Sequence, residues 1–302
     1  MDIPFGLNKI YFVVSLTGQH KQNAEDLYTY YIEKLFPEMN PELHIVNSRT
    51  ELLNLLNKIN DELQPGQFPL IHIEAHGLDQ KNGIVLASDE EVLWSVLRPV
   101  FTEINIKCCN NLSLAISACS SSRIIDELIA SFTDSIDSRA PFFCFIATEE
   151  VIDVDYLIVA FPIFYQSLAK DKNWNKAVEE MNAHSPTKFN CDICYHVLWH
   201  WLHEVANSWI KERTSKILAD PDIIANVYCK WYIYTYHKEC TIDAIMEIFT
   251  REQFYIDFFN KRLEDYLIVS DCKEWNANRF PSVKSLSNFE KSIPPMRVVR
   301  MN

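Results

Sequence analysis

Glycine is nearly missing from this chain of 302 residues. There are five, Gly6, Gly18, Gly66, Gly77 and Gly83, and the 219 residues that follow Gly83 contain none. An average stretch of that length carries about 15, at roughly 7% usage. A Walker A loop, a dinucleotide-binding fingerprint and the Gly-x-Ser-x-Gly elbow of serine hydrolases all need spaced glycines that are not here. Basic charge is also in deficit, with 28 Lys+Arg against 41 Asp+Glu for a net of −13. Without a basic stripe, no nucleic acid is expected as a direct partner. No run of eighteen apolar residues occurs, and Met1 to Asn8 lacks the basic and apolar regions of a secretory leader. Neither a membrane span nor membrane binding is expected, and the expected location is cytoplasmic.

The apolar fraction of 48% and the charged fraction of 23% are those of a globular protein, in one large domain or two smaller ones. Nine cysteines, an odd number, are expected to be mostly reduced thiols in such a chain, which leaves the question of which one is reactive. The acidity is unevenly placed. Residues 1–190 hold 14 Lys+Arg against 26 Asp+Glu, a net of −12, whereas residues 191–302 hold 14 against 15, a net of −1. Such a field favours a basic partner or a basic substrate segment, or serves solubility alone.

Hydropathy patterning predicts an α/β fold. Lys9–Leu16 (KIYFVVSL) reads as a buried strand, followed by a helix through Leu27, Tyr31 and Leu35 and a second strand at Leu43–Val46. Ser48-Arg49-Thr50-Glu51 has the form of a capping box before the helical face Leu52, Leu55, Leu56, Ile59 and Leu63. Phe68–Ala75 (FPLIHIEA) is a third strand ending at His76-Gly77. Gly83–Ala87 is a short extended segment, and Val92–Glu103 a helix. Leu112–Ala118 (LSLAISA) is a fourth strand ending at Cys119, before a serine cluster and a helix over Ile124–Phe132. Phe142–Ala147 is a fifth, followed by helical patterns over Tyr156–Ala169 and Trp174–Met181. Strands apolar throughout that alternate with helices predict a mostly parallel sheet with helices on both faces. After residue 190 the texture becomes aromatic, so the expected domains are 1–190 and a helix-rich 191–302. In the second, Thr250-x-x-Gln253 looks like another capping box, Tyr228–His237 fits either helix or strand, and the polar stretch from Asn276 onward is expected to be loosely attached.

Chemistry in parallel sheets collects beyond the carboxyl ends of the strands, and two of those ends carry His76 and Cys119. Cysteine attacks as the thiolate, so it needs a local reason to lose its proton and a base within reach. A position between a strand and a helix N-terminus supplies the first, and His76 on a neighbouring strand end supplies the second. Gly77 lets a substrate backbone approach, and its N–H, with that of Cys119, is placed to hold an oxyanion. Cys108 and Cys109 read as packing or loop residues, and Cys144 as a buried strand thiol.

A strand ending in His-Gly (IHIEAHG) paired with a later strand ending in Ala-Cys (LAISACSS) resembles the caspase-like cysteine peptidases, most closely their CHAT and separase branch. The order of histidine then cysteine and their separation of 43 residues are similar to the family pattern. Ile146–Met181 also looks like its strand, acidic loop, aromatic helix and short final helix, so the likeness spans about residues 9–185. The resemblance implies a caspase-like endopeptidase with Cys119 as nucleophile, His76 as general acid/base and a protein as substrate. It implies a setting of regulated cell death or of bacterial, including antiviral, defence. Ser117-Ala118-Cys119-Ser120-Ser121 is not the Gln-Ala-Cys-x-Gly of true caspases, so cleavage after aspartate is not implied. In the separase branch an acidic residue in the loop after the next strand receives a basic P1 side chain. Asp153 or Asp155 occupies a comparable place, with Glu149 and Glu150 nearby; a solvated acidic loop is the alternative. No cofactor is expected, and the C-terminal part would shape the substrate groove or receive an activating partner.

Other readings stay open beside this one. His72, Glu74 and His76 share a strand face, the geometry of a metal site as well as of a packed strand. Cys191 and Cys194, followed by His196, His200 and His203 and then Cys229, His237 and Cys240, could bind a structural zinc, most economically through Cys191, Cys194, His237 and Cys240. A zinc deaminase is excluded, because no Pro-Cys-x-x-Cys follows the His-x-Glu. The whole chain could also be a catalytically silent interaction module.

Overall fold

The computed structural model of the chain describes residues 3–64, 66–78, 82–135, 137–148, 151, 154–198, 201, 229–236, 238, 252–268, 272–276, 279–280, 282, 284 and 296–300. The chain divides into two compact units. One is Met1–Cys194 together with Pro294–Asn302, and the other is Tyr195–Ile293.

The first unit is built on strands β2 (Lys9–Ser15), β3 (Glu42–Ile45), β4 (Pro69–Gly77), β7 (Ser113–Ser117), β8 (Cys144–Thr148) and β9 (Phe189–Ile193), hydrogen-bonded in the order β3-β2-β4-β7-β8-β9. The first four pairings are parallel and β8–β9 is antiparallel. The fold is therefore α/β with a mostly parallel sheet. Numbered by appearance, the five parallel strands run 2-1-3-4-5, a doubly wound order in which successive crossovers leave β2 on opposite sides. Every residue of β2 and β7 is buried, as are Pro69–Ala75 of β4, so both faces of the central strands are covered. This accounts for their continuous apolar runs. The covering helices form two groups. One is α3 (Arg49–Glu62), α4 (Trp94–Lys107) and α5 (Ile124–Asp134). The other is α1 (Gly18–Leu27), the three-residue α2 (Glu33–Leu35), α6 (Val154–Asp171) and α7 (Trp174–His184).

Local signals act mostly as expected. Ser48 Oγ accepts from the Glu51 N–H at 3.3 Å and so caps α3. The Glu51 carboxylate reaches back to the N–H of Asn47 at 2.7 Å, one residue before the cap, so the capping box closes on the residue outside it. Asn173 Oδ1 caps α7 in the same way, through the Lys176 N–H at 3.0 Å. With glycine scarce, seven other residues among those described take left-handed backbone: Asn40, Asp89, Cys109, Asn110, Ser120, Lys172 and Ile268. Three are Asn or Asp, the types that tolerate that region best. The Cys109–Asn110 turn into β7 is held by side-chain amides, with Asn105 bonding Asn110, the Ala140 carbonyl and the Leu112 N–H, and Asn111 accepting from the Gly6 N–H.

Three expectations need correction. The segment Glu91–Leu93 is a strand, β6, that pairs with β5 (Gly83–Val85), so α4 starts at Trp94 and not at Val92. The boundary at residue 190 falls inside β9, which the antiparallel pairing to β8 holds within the first unit. The C-terminal stretch is not loose over its whole length: Met296–Arg300 forms β10, parallel to β1 (Ile3–Gly6), and returns to the first unit.

The described elements of the second unit are helices: Cys229–Tyr236, which settles the ambiguous aromatic run, Glu252–Tyr266 and Lys273–Asn276. The first two are stitched by phenol-carboxylate bonds, Tyr234 to Asp265 at 2.5 Å and Tyr236 to Asp257 at 2.9 Å. Arg262 is 2% exposed and lies 5.0 Å over the Tyr266 ring, where its planar cation is satisfied by a π face. Asn276 is fully buried and bonds the Ile268 carbonyl and Arg279. Thr250 lies outside the described residues.

Candidate active site

Residues Glu74 and Ser117 are register partners across the β4–β7 pair. Two positions further along each chain come His76 and Cys119, so the two predicted residues stand side by side where the strands end. β4 outruns the sheet. Its last residues pair antiparallel with β5, His76 opposite Val85 and Gly77 opposite Ile84. β7 stops at Ser117, and the chain turns through Cys119 and Ser120 into a 3-10 turn (Ser121–Arg123) and then α5. Cys119 is a half-buried free thiol at this turn, and His76 is exposed above it.

The turn forms without a glycine because Ser120 takes the left-handed conformation, at φ 53° and ψ 24°. Ser121 fixes it. Its hydroxyl donates to the Ile116 carbonyl of β7 at 3.3 Å and accepts from the Thr148 N–H of β8 at 3.2 Å. The need for glycine falls instead on the facing strand. A Cβ at Gly77 would lie 2.0 Å from the Cys119 carbonyl oxygen, 2.6 Å from its carbonyl carbon and 2.7 Å from its nitrogen. Only a glycine lets the two strand ends come this close. The close approach is thus to the nucleophile turn itself. Leu78 donates to Gly83 at 3.2 Å, so 78–83 and 76–85 are the hydrogen-bonded pairs and Gly77 falls between them. Its N–H is therefore directed away from β5.

A cavity of about 280 Å³ opens beside the pair, lined by Glu74, Ala75 and His76 of β4, by Ser117, Ala118 and Cys119, by α1 and the residues just after it, and by Leu157, Ile158 and Pro162 of α6. It lies where the crossovers from β2 diverge, the expected place for a ligand in a doubly wound sheet. His20 of α1 stands edge-on to His76 with ring centroids 5.5 Å apart. Partial desolvation of the ring at the cavity, and then the neighbouring His20, hold His76 below the usual histidine range, against an opposing pull from Asp89. His76 is thereby suited to accept a proton near neutral pH as a free imidazole.

Beneath the cavity lies a buried polar chain. His72, fully buried between Phe12 and Phe161, has Nδ1 2.6 Å from the Tyr165 hydroxyl and Nε2 3.0 Å from Glu74 Oε1. The second contact is electrostatic and off the hydrogen-bond direction. Burial and then the Glu74 charge push the Tyr165 phenol well above its ordinary range, so it keeps its proton and donates to His72. His72 and Glu74 thus face each other within the fold, with His72 Nε2 left without a hydrogen-bond partner, and no cluster of three or more His, Cys, Asp or Glu suited to a metal occurs among the described residues.

The remaining predicted residues are less informative. Glu149, Glu150 and Asp153 lie outside the described residues, and Asp155 is in α6 with its side chain outside them. Cys191 is in β9, opposite Ile146, and its side chain is likewise outside the description. Cys194 is a fully buried free thiol directed at the Phe142 carbonyl. His200, His203, His237 and Cys240 lie outside the described residues. Cys144 is buried and donates to Ser113 Oγ at 3.2 Å, and Cys108 is a buried free thiol. Cys109 and Cys272 are each disulfide-bonded, whereas Cys108, Cys119, Cys144 and Cys194 are not. Sequence reasoning missed His20, Glu74 and Ser117 as parts of the cavity. The period-2 alternation from His76 back to Glu74 and from Cys119 back to Ser117 was the signal that pointed to the last two.

Fold and cavity define the class: an α/β protein with a cysteine and a histidine at adjacent strand ends over a cavity at the sheet's switch point. No protein-family model matches the chain, and no curated protein sequence aligns with it.

Proposed function

We propose that this protein is a caspase-like cysteine endopeptidase acting on a polypeptide. The observation that carries this reading is the placement of His76 and Cys119 at adjacent strand ends on one cavity. In the reaction, Cys119 Sγ attacks the scissile carbonyl carbon while His76 takes the thiol proton, and the tetrahedral oxyanion is held by the N–H groups of Gly77 and Cys119. Collapse breaks the C–N bond, and His76 returns the proton to the leaving amine. Water, deprotonated by His76, then hydrolyses the thioester, and the proton passes back to the Cys119 sulfur.

A polypeptide substrate fits the surroundings of the cavity. Next to the lining residues Tyr30 and Ile158, helix α6 also exposes Tyr156 and Val159, an apolar strip that an extended chain would cover. A basic P1 side chain agrees with the acidic surroundings, and roles in cell death or in defence rest on resemblance alone. The test is cleavage of a diverse peptide library by wild type, Cys119→Ala and His76→Ala. Cleavage lost in both variants, with Cys119 labelled by an electrophilic peptide only when His76 is present, supports the reading. Cleavage by Cys119→Ala at the wild-type rate refutes it, and labelling of an inert protein would leave the interaction module standing.

A further inference from the structure

We propose that His20 is a positioning residue for the reaction: its ring packs edge-on against His76 and holds that imidazole toward Cys119. This role rests on the peptidase reading for the proton transfer it serves, while the ring contact itself does not.

A base beside a thiol works in one orientation, and in sites of this kind a third group ordinarily fixes it through a hydrogen bond. No such bond is made here. His76 is exposed at the end of β4, and among the described residues its side chain makes no hydrogen bond. None of the neighbouring acids takes the part. Glu74, two residues back on the same strand face, turns an oxygen toward His72 at 3.0 Å. Asp26 accepts from Gln22 at 3.0 Å, and Asp89 acts on His76 through its charge alone. What stands against the imidazole is His20, with ring centroids 5.5 Å apart and planes at 61°. A spacing of about 4.5–7 Å with a steep interplanar angle is a favoured geometry for a pair of flat rings.

The chain is built to bring His20 there. Ser15, the last residue of β2, is the register partner of Ala75, so β2 stops one residue short of His76 and the chain then turns into α1. Gly18 makes that turn at φ +56°. A Cβ there would meet nothing within 4 Å, so the left-handed backbone alone is the reason for a glycine. Beyond it, His20, Ala24 and Leu27 follow at i, i+4 and i+7 and form the face of α1 that lines the cavity. Ala24 and Leu27 are buried, and α1 packs against β2 and α6. His20 is thus carried on an anchored helix, which holds a ring more closely than a loop does. Gly77 admits the Cys119 turn at this end of the sheet, and Gly18 admits His20.

Orientation and charge are separable by experiment. The charge of His20 moves the acid limb of the pH profile, whereas orientation sets kcat on the plateau above that limb. On the plateau, full-length His20→Ala should lose about ten- to hundredfold in kcat with a much smaller change in KM, the loss expected when a reacting group is misplaced. His20→Phe keeps a flat ring without the charge, and should return kcat to within about threefold of wild type. NMR gives a readout without turnover. In wild type the ring protons of His20 and His76 should show a nuclear Overhauser contact, and His76 one dominant χ1 rotamer that averages in His20→Ala and returns in His20→Phe. Thermal melts show whether each variant is folded, and His20→Leu, which fills the space without a flat ring, replaces His20→Ala if that protein does not fold. Unchanged kcat in folded His20→Ala overturns the proposal, as does an equal loss in His20→Ala and His20→Phe, which would mean that His20 acts through its nitrogens. The two readings fail separately. Rotamer averaging in His20→Ala, in a protein whose wild type cleaves no peptide, preserves the positioning contact and removes the peptidase. Wild-type kcat in folded His20→Ala does the reverse.

Discussion

Two substitutions at single residues pull in opposite directions around the nucleophile turn. Gly77→Ala places a Cβ 2.0 Å from the Cys119 carbonyl oxygen, and backbone on both sides leaves no flexible atom to yield. Overpacking of this kind costs about 1–3 kcal/mol. Because the displaced atoms belong to Cys119 itself, peptidase activity should fall on the order of 100-fold, even where denaturant melts show the variant still folded. Ser120→Gly should do the contrary. Left-handed backbone costs a non-glycine residue about 1–2 kcal/mol, partly offset by the roughly 0.5–1 kcal/mol entropy cost of glycine. The variant should be as stable as wild type or up to about 1 kcal/mol more so.

His20 governs a third residue-level outcome, the pH profile. The groups around His76 are Glu74 on its own strand, His20 and Asp26 from α1, Tyr30 and Tyr31 after it, Asp89 from the β5–β6 turn, and Cys119. Of these, His20 disfavours a proton on His76 and Asp89 favours one. With His76 as the base, the acid limb of kcat/KM should lie below the ordinary histidine value of about 6.5. His20→Gln removes the repulsion, so the limb should move to higher pH, and Asp89→Asn should move it lower. The same directions should appear in the imidazole proton shifts of His76 by NMR. A limb that stays put in both variants would mean that another group sets it.

At the scale of elements, two serines test which hydrogen bonds matter where. Ser48 caps α3 at the surface, and Ser48→Ala should cost about 1 kcal/mol with no change in kcat/KM. Ser121 is fully buried and ties the Cys119 turn to both β7 and β8. Ser121→Ala removes the bonds to the Ile116 carbonyl and the Thr148 N–H, each worth about 0.5–1.5 kcal/mol, so it should destabilise the fold and lower activity as well. Urea melts and initial rates on both variants decide it. The elements themselves were largely legible in the sequence, because strands covered on both faces carry unbroken apolar runs and α3 carries its own cap. What was not legible depended on pairing. β6 was absorbed into the helix after it because three residues carry no period, and β10 was hidden because its partner, β1, lies nearly three hundred residues away. The site divides the same way. His76, Gly77 and Cys119 announced themselves by strand ends and residue chemistry, whereas Glu74 and Ser117 became a pair only once the register of β4 against β7 was known.

At the scale of the whole molecule, charge is partitioned along the two units. The first, Met1–Cys194 with Pro294–Asn302, carries 16 Lys+Arg against 27 Asp+Glu, a net of −11, and the second carries 12 against 14, a net of −2. The unit that holds the cavity is thus the strongly negative one. A field of that sign concentrates cationic chains near the surface before any specific contact forms, and it acts on association more than on chemistry. Its range follows the Debye length, about 10 Å at 0.1 M salt and about 3 Å at 1 M. Cleavage of a peptide with several Lys or Arg residues flanking the site should therefore lose about three- to tenfold in kcat/KM between 0.05 and 0.5 M NaCl. Its kcat should hold nearly constant, because salt screens the approach of the chain to the surface and not the peptide once it is bound. A peptide with the same P1 residue and uncharged flanks should lose much less. If both peptides weaken equally, the acidic surface serves solubility and the contacts within the cavity alone choose the substrate.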